Sequence, residues 1–412
     1  MSADPSSSVR HGEVDRVPGA WFGVAAAAGL VSPTGQIATT IFAEMSALAA
    51  RTGAINLGQG FPDEDGPAEV LEAAQRAIRD GVNQYPPGRG IPELLQAIAE
   101  HQHRFYGLEI DPAREALVTV GATEALTATL VALLSPGDEV IVFEPYYDSY
   151  AAAIALAGAR LVPVPLLWPD FQPDLDELRA AVGPRTRAIL VNDPHNPTGA
   201  VFDAAVRTEI VRLAAEHDLV IITDEVYEHL VFDEPHVPIA TLPGAWERTV
   251  SISSGGKTFN TTGWKVGWVT GQAALIDAVI AVKQYLTYVG SSAFQPAIAA
   301  GLRLPDAYFA GIASELREKR DLLGAGLRAA GFAVSEPRGS YFTVVDASPL
   351  GATDADAFAR SLPEAAGVVG IPVTAFTTPE HRGRYATLLR FAACKRREVL
   401  AEASTRLAQL AR

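Results

Sequence analysis

A single cysteine, Cys394, is all that this chain of 412 residues contains, so it can form no disulfide within itself and no cysteine-based metal centre. Its eight histidines are scattered and show no HExxH or similar ligand spacing, so no metal site is expected. Apolar runs fall short of the ~20 residues needed to span a bilayer. Positive charge is also in short supply: 33 Lys and Arg stand against 48 Asp and Glu, for a formal net charge of -15. Nucleic acid and anionic membranes are therefore poor partners, and an anionic ligand would need a local cluster of donors. The opening "MSADPSSSVRHGEVDR" lacks a basic region followed by an apolar stretch, and the apolar "GAWFGVAAAAGLV" (Gly19–Val31) comes late. The expectation is a soluble, cytoplasmic protein.

What the chain does have is apolar residues, 48% of the total, enough for a sizeable core. Its length points to about two domains. Residues 1–32 read as a loosely held extension, with a turn at "SPTG" (Ser32–Gly35). "TTIFAEMSALAARTG" reads as an amphipathic helix closed by Gly53. From there strand-like runs ("EALVTV", "EVIVFEP", "RLVPVPL", "RAILVND", "LVIITDE", "TVSISS") alternate with helical patterns such as "TEALTATLVALLS". That alternation predicts an α/β fold whose mostly parallel sheet is covered on both faces. Past about residue 304 a long helix, a strand at "YFTVVDA", another helix, the strand "LLRFAAC" and a terminal helix make an α+β pattern. The expected division is 1–32 as extension, 33–55 as part of a small domain, 56–303 as a large domain and 304–412 as the rest of the small domain.

Parallel sheets bind ligands beyond the carboxyl ends of their strands, and polar groups gather at these ends. Lys257 follows "TVSISS" within "SSGGKTFNTTGWKVGW" (Ser253–Trp268) and fits a Schiff-base nucleophile, or else an ordinary surface lysine. Asp224 ends a strand and can keep a heterocyclic nitrogen protonated, with Tyr227 placed to donate to a ring oxygen. A helix N-cap followed by a core tyrosine is the alternative. Asn196 lies in "VNDPHNPTG", a ligand loop or a plain Asn-Pro turn. Gly121, Ala122 and Thr123 open a helix whose free N–H groups suit a phosphate, unless Thr123 and a nearby glutamate simply form a capping box.

Taken in order, "NLGQGFPD", "NQYPPGRG", "GATEAL", "EPYYDSY", "NDPHNPTG", "TDEVYE", "SSGGKTFNTTGWKVGW" and "RFAACK" resemble the class I/II aminotransferases of the fold type I pyridoxal-5′-phosphate (PLP) enzymes. The resemblance runs from residue 33 to the C-terminus. It implies a large domain with a mostly parallel, seven-stranded sheet and a smaller α+β domain. It also implies that Lys257 carries PLP as a Schiff base and shuttles protons, and that Asp224 keeps the pyridine nitrogen protonated. Tyr227 and Asn196 would bind the phenolic oxygen and Tyr147 would stack on the ring. Ala122, Thr123, Ser254 and Lys265 would hold the phosphate, with Trp264 and the glycines shaping that loop. Arg390 would clamp the substrate α-carboxylate, and Gly60 would allow its close approach. Tyr85 would reach a partner's phosphate across a two-fold axis, and Tyr288 lies in a segment that also crosses, so the resemblance implies a homodimer with shared sites. Two core tyrosines are the alternative.

Lys265 departs from the arginine of many class I relatives, replacing a fork with a point charge. "GWKVGW" is shared with the kynurenine and glutamine aminotransferases, with cysteine-conjugate β-lyases, and with a bacterial group of N-succinyldiaminopimelate aminotransferases. "TIFAEMSALA", "NLGQGFPDEDGP" and "KQYLTYVGSSAFQPA" look most like actinobacterial members of that last group. The expected activity is amino transfer between N-succinyl-L,L-2,6-diaminopimelate and the glutamate/2-oxoglutarate pair, in lysine and diaminopimelate biosynthesis. A broad kynurenine, glutamine or methionine aminotransferase and a β-lyase are the rivals. A non-catalytic regulator would need a basic DNA-binding extension, and residues 1–32 are too short and acidic for one. Lys283 and Arg89 are the residues considered for the distal end of the substrate, each with an ordinary surface charge as its alternative.

Overall fold

The computed structural model describes residues 17–32 and 34–411. Most of the expected extension, residues 1–16, and Pro33 of the expected turn lie outside them. Seven strands form the main sheet: β1 (Ala116–Val120), β2 (Glu139–Glu144), β3 (Arg160–Leu167), β4 (Thr186–Asn192), β5 (Val220–Asp224), β6 (Thr249–Ser254) and β7 (Val266–Gly271). They run in the order β1-β7-β6-β5-β4-β2-β3, with the two-residue strand Gln172–Pro173 added antiparallel at the β3 edge. β7 is antiparallel to both its neighbours, and the strands from β6 across to β3 are parallel.

The continuous apolar runs arise because both faces are buried. Ile141, Phe143, Ile189, Val191 and Ile221 join one core, with Val206, Ile210 and Leu213 of the helix Ala204–Glu216. Their chain neighbours Val140, Val142, Ala188, Leu190 and Ile222 join the opposite core. Successive strand side chains point to opposite faces, so one run feeds both layers.

β7 is an addition to the sequence reading, which took its residues for part of a glycine-shaped loop. Val266 and Trp268 enter one core and Val269 the other, but Gly267 and Gly271 hide the alternation. Residues 17–32, the described part of the segment read as a loosely held extension, include one helical stretch. Trp21–Ala27 is a helix with no buried residue, lying against the helix Ser149–Leu156, and its alanines favour that form.

Helix α1 (Ile41–Thr52) starts where Thr40 Oγ1 accepts the Ala43 N–H at 3.1 Å and stops at Gly53, whose φ of 69° is left-handed. Its Met45 and Ala49 pack with Leu323 and Leu327 of the long helix Asp306–Ala329 and with Val345, Leu389 and Phe391. The last three lie on the antiparallel strands β8 (Phe342–Asp346) and β9 (Leu388–Ala392), the heart of a smaller α+β layer. No helix among the described residues is long and apolar enough to cross a membrane.

Candidate active site

A cavity of about 330 Å³ opens at the carboxyl ends of the parallel strands. It is lined by Gly60, Gly121, Ala122, Thr123, Tyr147, Asn196, Asp224, Tyr227, Ser254, Lys257, Lys265 and Arg390. Those residues span most of the chain; most follow strands of the main sheet, Lys265 sits just before β7, Arg390 leans over from β9, and Gly60 comes from the loop after the short strand Ile55–Asn56.

Lys257 sits in the helical turn Gly255–Thr258 directly after β6. A Cβ at Gly255 would stand 2.6 Å from Ile298 Cδ1, so glycine lets the turn seat against the core without displacing that side chain. The Lys257 ammonium donates to Tyr341 Oη at 3.0 Å and reaches the Gly60 carbonyl at 3.5 Å. Burial holds its pKa below the usual lysine value, with opposition from the Asp224 carboxylate. A depressed pKa enlarges the share of free amine, the nucleophilic form. The sequence reading did not single out Tyr341, whose hydroxyl in turn donates to the Gly60 carbonyl.

Asp224, 8% exposed at the end of β5, accepts the Tyr150 hydroxyl at 2.7 Å. It does not cap a helix. Asn192 Nδ2 donates to its backbone carbonyl at 2.8 Å and Asn192 Oδ1 accepts the Asn196 N–H at 2.7 Å, so one amide ties two strand ends together. Burial raises the Asp224 pKa; the Tyr150 hydroxyl, the Val226 N–H and Lys257 pull it back. A buried carboxylate of this kind is poised to gain from a cationic N–H partner. Tyr227, buried beside it, meets Tyr341 edge-on at 5.3 Å. Tyr150 and Asn192 carried a signal in "EPYYDSY" and "NDPHNPTG", but their roles as supports for Asp224 show only in the fold.

At the other end lies the N-terminus of α2 (Gly121–Leu133), where no side chain of the described residues caps the helix. The capping-box alternative is half met. Glu124 takes the Val120 N–H at 2.5 Å, but Thr123 does not cap; its hydroxyl accepts the Lys265 ammonium at 3.4 Å. Lys265 is left-handed, at φ 55°, which folds it back over the helix start. A Cβ at Gly267 would lie 2.5 Å from the Gly121 carbonyl carbon, so this glycine lets β7 press Lys265 onto α2. Trp264 stacks on Phe294 at 4.6 Å and steadies the loop. Uncapped N–H groups, a helix dipole and a lysine make an anion site.

Arg390 on β9 is 2% exposed. Its Nη1 donates to Asn196 Oδ1 at 3.0 Å and its Nη2 to the Gly58 carbonyl at 2.7 Å. Nε is buried and finds no partner among the described residues. The guanidinium lies 4.1 Å from the centre of the Phe342 ring and 4.6 Å from that of Phe376. Burial lowers its pKa to about 10, which still leaves it cationic at neutral pH. A dry cation with a spare donor favours a carboxylate strongly. A Cβ at Gly60 would meet Phe342 at 2.6 Å, so the glycine keeps this corner open.

Tyr85 is not in the cavity of this chain. It is 81% exposed and meets Tyr288, 49% exposed, edge-on at 5.6 Å; these are not core tyrosines. Lys283 and Arg89, considered for the distal end of the substrate, do not line the cavity of this chain. Lys283 is not a surface charge either. It is 2% exposed and donates to the carbonyls of Tyr288 and of Gly88, the latter at 3.5 Å. Arg89 is spent on Asp277 and on the Arg114 carbonyl at 3.2 Å.

Residues 52–406 match the aminotransferase class I and II family, and the chain belongs to it. Within that family it is 53% identical over 391 residues to a probable N-succinyldiaminopimelate aminotransferase, DapC, of Mycobacterium tuberculosis, covering 92% of this chain and 98% of that one. It is 39% identical to the methionine aminotransferase of Escherichia coli over 376 residues, 91% of this chain and 97% of the relative. The solved structure of N-succinyldiaminopimelate aminotransferase from M. tuberculosis superposes with a TM-score of 0.88 at 54% identity, covering 90% of this chain and 97% of that one. The fold is thus that of the fold type I transferases, and the chain is an aminotransferase.

Proposed function

We propose that the chain is a PLP-dependent aminotransferase that acts on N-succinyl-L,L-2,6-diaminopimelate with the glutamate/2-oxoglutarate pair, as a cytoplasmic homodimer. The observation that most supports amino-acid chemistry is Arg390, buried and with its Nε free, above the cavity that also holds Lys257 and Asp224. The 53% identity to the M. tuberculosis relative supports the substrate.

The residues present fit PLP. Ala122, Thr123, Ser254 and Lys265 would take its phosphate at the uncapped helix start. Asp224 would hold its ring nitrogen, Tyr227 and Asn196 its phenolic oxygen, and Tyr147 one ring face. When bound, PLP supplies an electron sink for negative charge at the substrate Cα. Lys257 Nζ would anchor the group and then, released, take the Cα proton, because its lowered pKa leaves an amine free to accept one. Tyr341 holds that amine on the Gly60 side of the cavity. Arg390 orients the α-carboxylate and so fixes which Cα bond faces Lys257. Its aromatic surround excludes water and strengthens the ion pair.

Both substrates present an α-carboxylate, but one ends in a short carboxylate and the other in a long amide-linked dicarboxylate, so one pocket must serve both. The test compares kcat/KM for the succinylated substrate, kynurenine and methionine with 2-oxoglutarate as acceptor. The succinylated substrate should lead. A lead of more than about tenfold by kynurenine or methionine, ~1.4 kcal/mol of transition-state preference, defeats the substrate reading and leaves the aminotransferase standing. Release of pyruvate and ammonia in place of a keto acid and a new amino acid would mark a β-lyase.

A further inference from the structure

We propose that His101, Glu228 and His229 form a buried site for one divalent transition-metal ion of the zinc class, apart from the cavity that holds Lys257. The three come from distant stretches: His101 from the helix Pro92–Tyr106, Glu228 and His229 from the turn after β5. Their ligand atoms all lie within 4.8 Å of one another. None is open to bulk water, at 1%, 3% and 8% exposure.

The two imidazoles aim Nε2 at Nε2, 2.6 Å apart. Two lone pairs cannot meet so closely unless a proton or a metal lies between them. Each imidazole in its neutral form offers one nitrogen lone pair, and both Nε2 atoms face the same point. At Zn–N bonds of ~2.0–2.1 Å a tetrahedral ion needs its nitrogens ~3.4 Å apart, so the rings would part by about 0.8 Å.

The carboxylate is already oriented. Tyr106 donates to Glu228 Oε2 at 2.6 Å and Ser253 to Oε1 at 2.5 Å, the outer-shell bonds that commonly aim a ligating carboxylate. Two nitrogens and one oxygen select Zn²⁺ or Co²⁺ over Mg²⁺ or Ca²⁺, which prefer all-oxygen sites. Three protein ligands leave a fourth position for water. Room for it lies alongside: a second cavity of about 300 Å³ is lined by Tyr106, Glu228, His229 and His236. His236 is 6% exposed; its Nε2 lies 3.7 Å from Glu225 Oε2, and its Nδ1 finds no hydrogen-bond partner among the described residues. A water held by a metal beside this cavity would satisfy the His236 nitrogen that lacks a hydrogen bond.

The experiment titrates Co²⁺ into chelator-treated, tag-free full-length holoenzyme and reads the visible d–d bands, with bound metal counted by mass spectrometry. The wild type should bind about one Co²⁺ per chain in a tetrahedral environment, and Zn²⁺ should displace it. His229→Gln and, separately, the near-isosteric Glu228→Gln should lose the bands while circular dichroism stays native. Absence of bands in the wild type, or bands that persist in both variants, overturns the proposal and leaves a plain histidine–histidine hydrogen bond. Because the readout is the metal spectrum, the outcome is independent of which amino acid the enzyme uses.

Discussion

Asp224 and Arg390, behind the strand ends, are 8% and 2% exposed, whereas Tyr85 and Tyr285 on the outer surface are 81% and 84% exposed. The inner pair is held by partners from the same chain: Tyr150 and Asn192 for Asp224, Asn196 and Gly58 for Arg390. Tyr85 meets Tyr288 edge-on, and Leu286 at 48% exposure adds to the exposed apolar surface nearby in sequence. Exposed apolar side chains close together are what a surface fitted for a partner would carry. The chemistry of the floor is therefore assembled by folding, whereas the outer segment is where the proposed homodimer would meet.

The largest effect should come from the floor. Lys257→Ala should cost on the order of a thousandfold or more in kcat, because one amine serves both as anchor and as proton carrier. Borohydride reduction and peptide mapping of the wild type should place the label on Lys257; a label on Lys265 would exchange the roles of the two lysines. Asp224→Asn should fold normally and lose on the order of a hundredfold in kcat, since a neutral amide cannot hold a cationic ring nitrogen. Near-normal turnover in that variant would remove Asp224 from the chemistry. Arg390→Ala should act mainly through KM, by roughly tenfold to a hundredfold for amino acids, the ~1.5–3 kcal/mol of a hydrogen bond to a charged group.

The outer segment should yield smaller, concentration-dependent effects. Inactive Lys257→Ala protomers mixed with protomers carrying Tyr85→Phe and Arg390→Ala should regain part of the activity if Tyr85 serves its partner's site. Full activity in a monomer would erase the distinction between floor and outer surface.

The smallest effect concerns the loop that presents Asn196. His195 is 2% exposed, its Nδ1 lies 2.7 Å from Thr198 Oγ1, and burial lowers its pKa to about 3. The unfolded chain takes up a proton near pH 6.5 that the folded one refuses, so this stability is full above about pH 6.5 and drains as pH falls towards 3. His195→Gln should flatten the pH dependence of denaturant unfolding in that window by up to ~1.4 kcal/mol per pH unit. An unchanged slope would show that the ring is already protonated in the fold.

Much of the floor was legible because a sheet buried on both faces writes each strand as one apolar run and puts its polar punctuation where ligands bind. Asp224, Asn196 and Lys257 could be placed at strand ends for that reason. β7 was missed because Gly267 and Gly271 interrupt its alternation, and the need for Gly267 appears only once Gly121 stands against it. The surround of Arg390 was illegible for another reason. Phe42, Phe342 and Phe376 each read as ordinary core residues, and nothing local says that three of them face one guanidinium. Lys283 was misread because a lysine ending an apolar helix gives no sign of the carbonyls waiting for it.

That lysine has a mechanical meaning. Its ammonium bridges the carbonyls of Gly88 and Tyr288, three residues beyond Tyr85 on one strand of chain and at Tyr288 itself on the other. The two outer segments are thus riveted at one point from beneath, and their rings touch above it. The backbones that carry the two tyrosines are tied through that one ammonium. A subunit pressing on Tyr288 would be felt at Tyr85, so the outer aromatics should move, order and melt as one part.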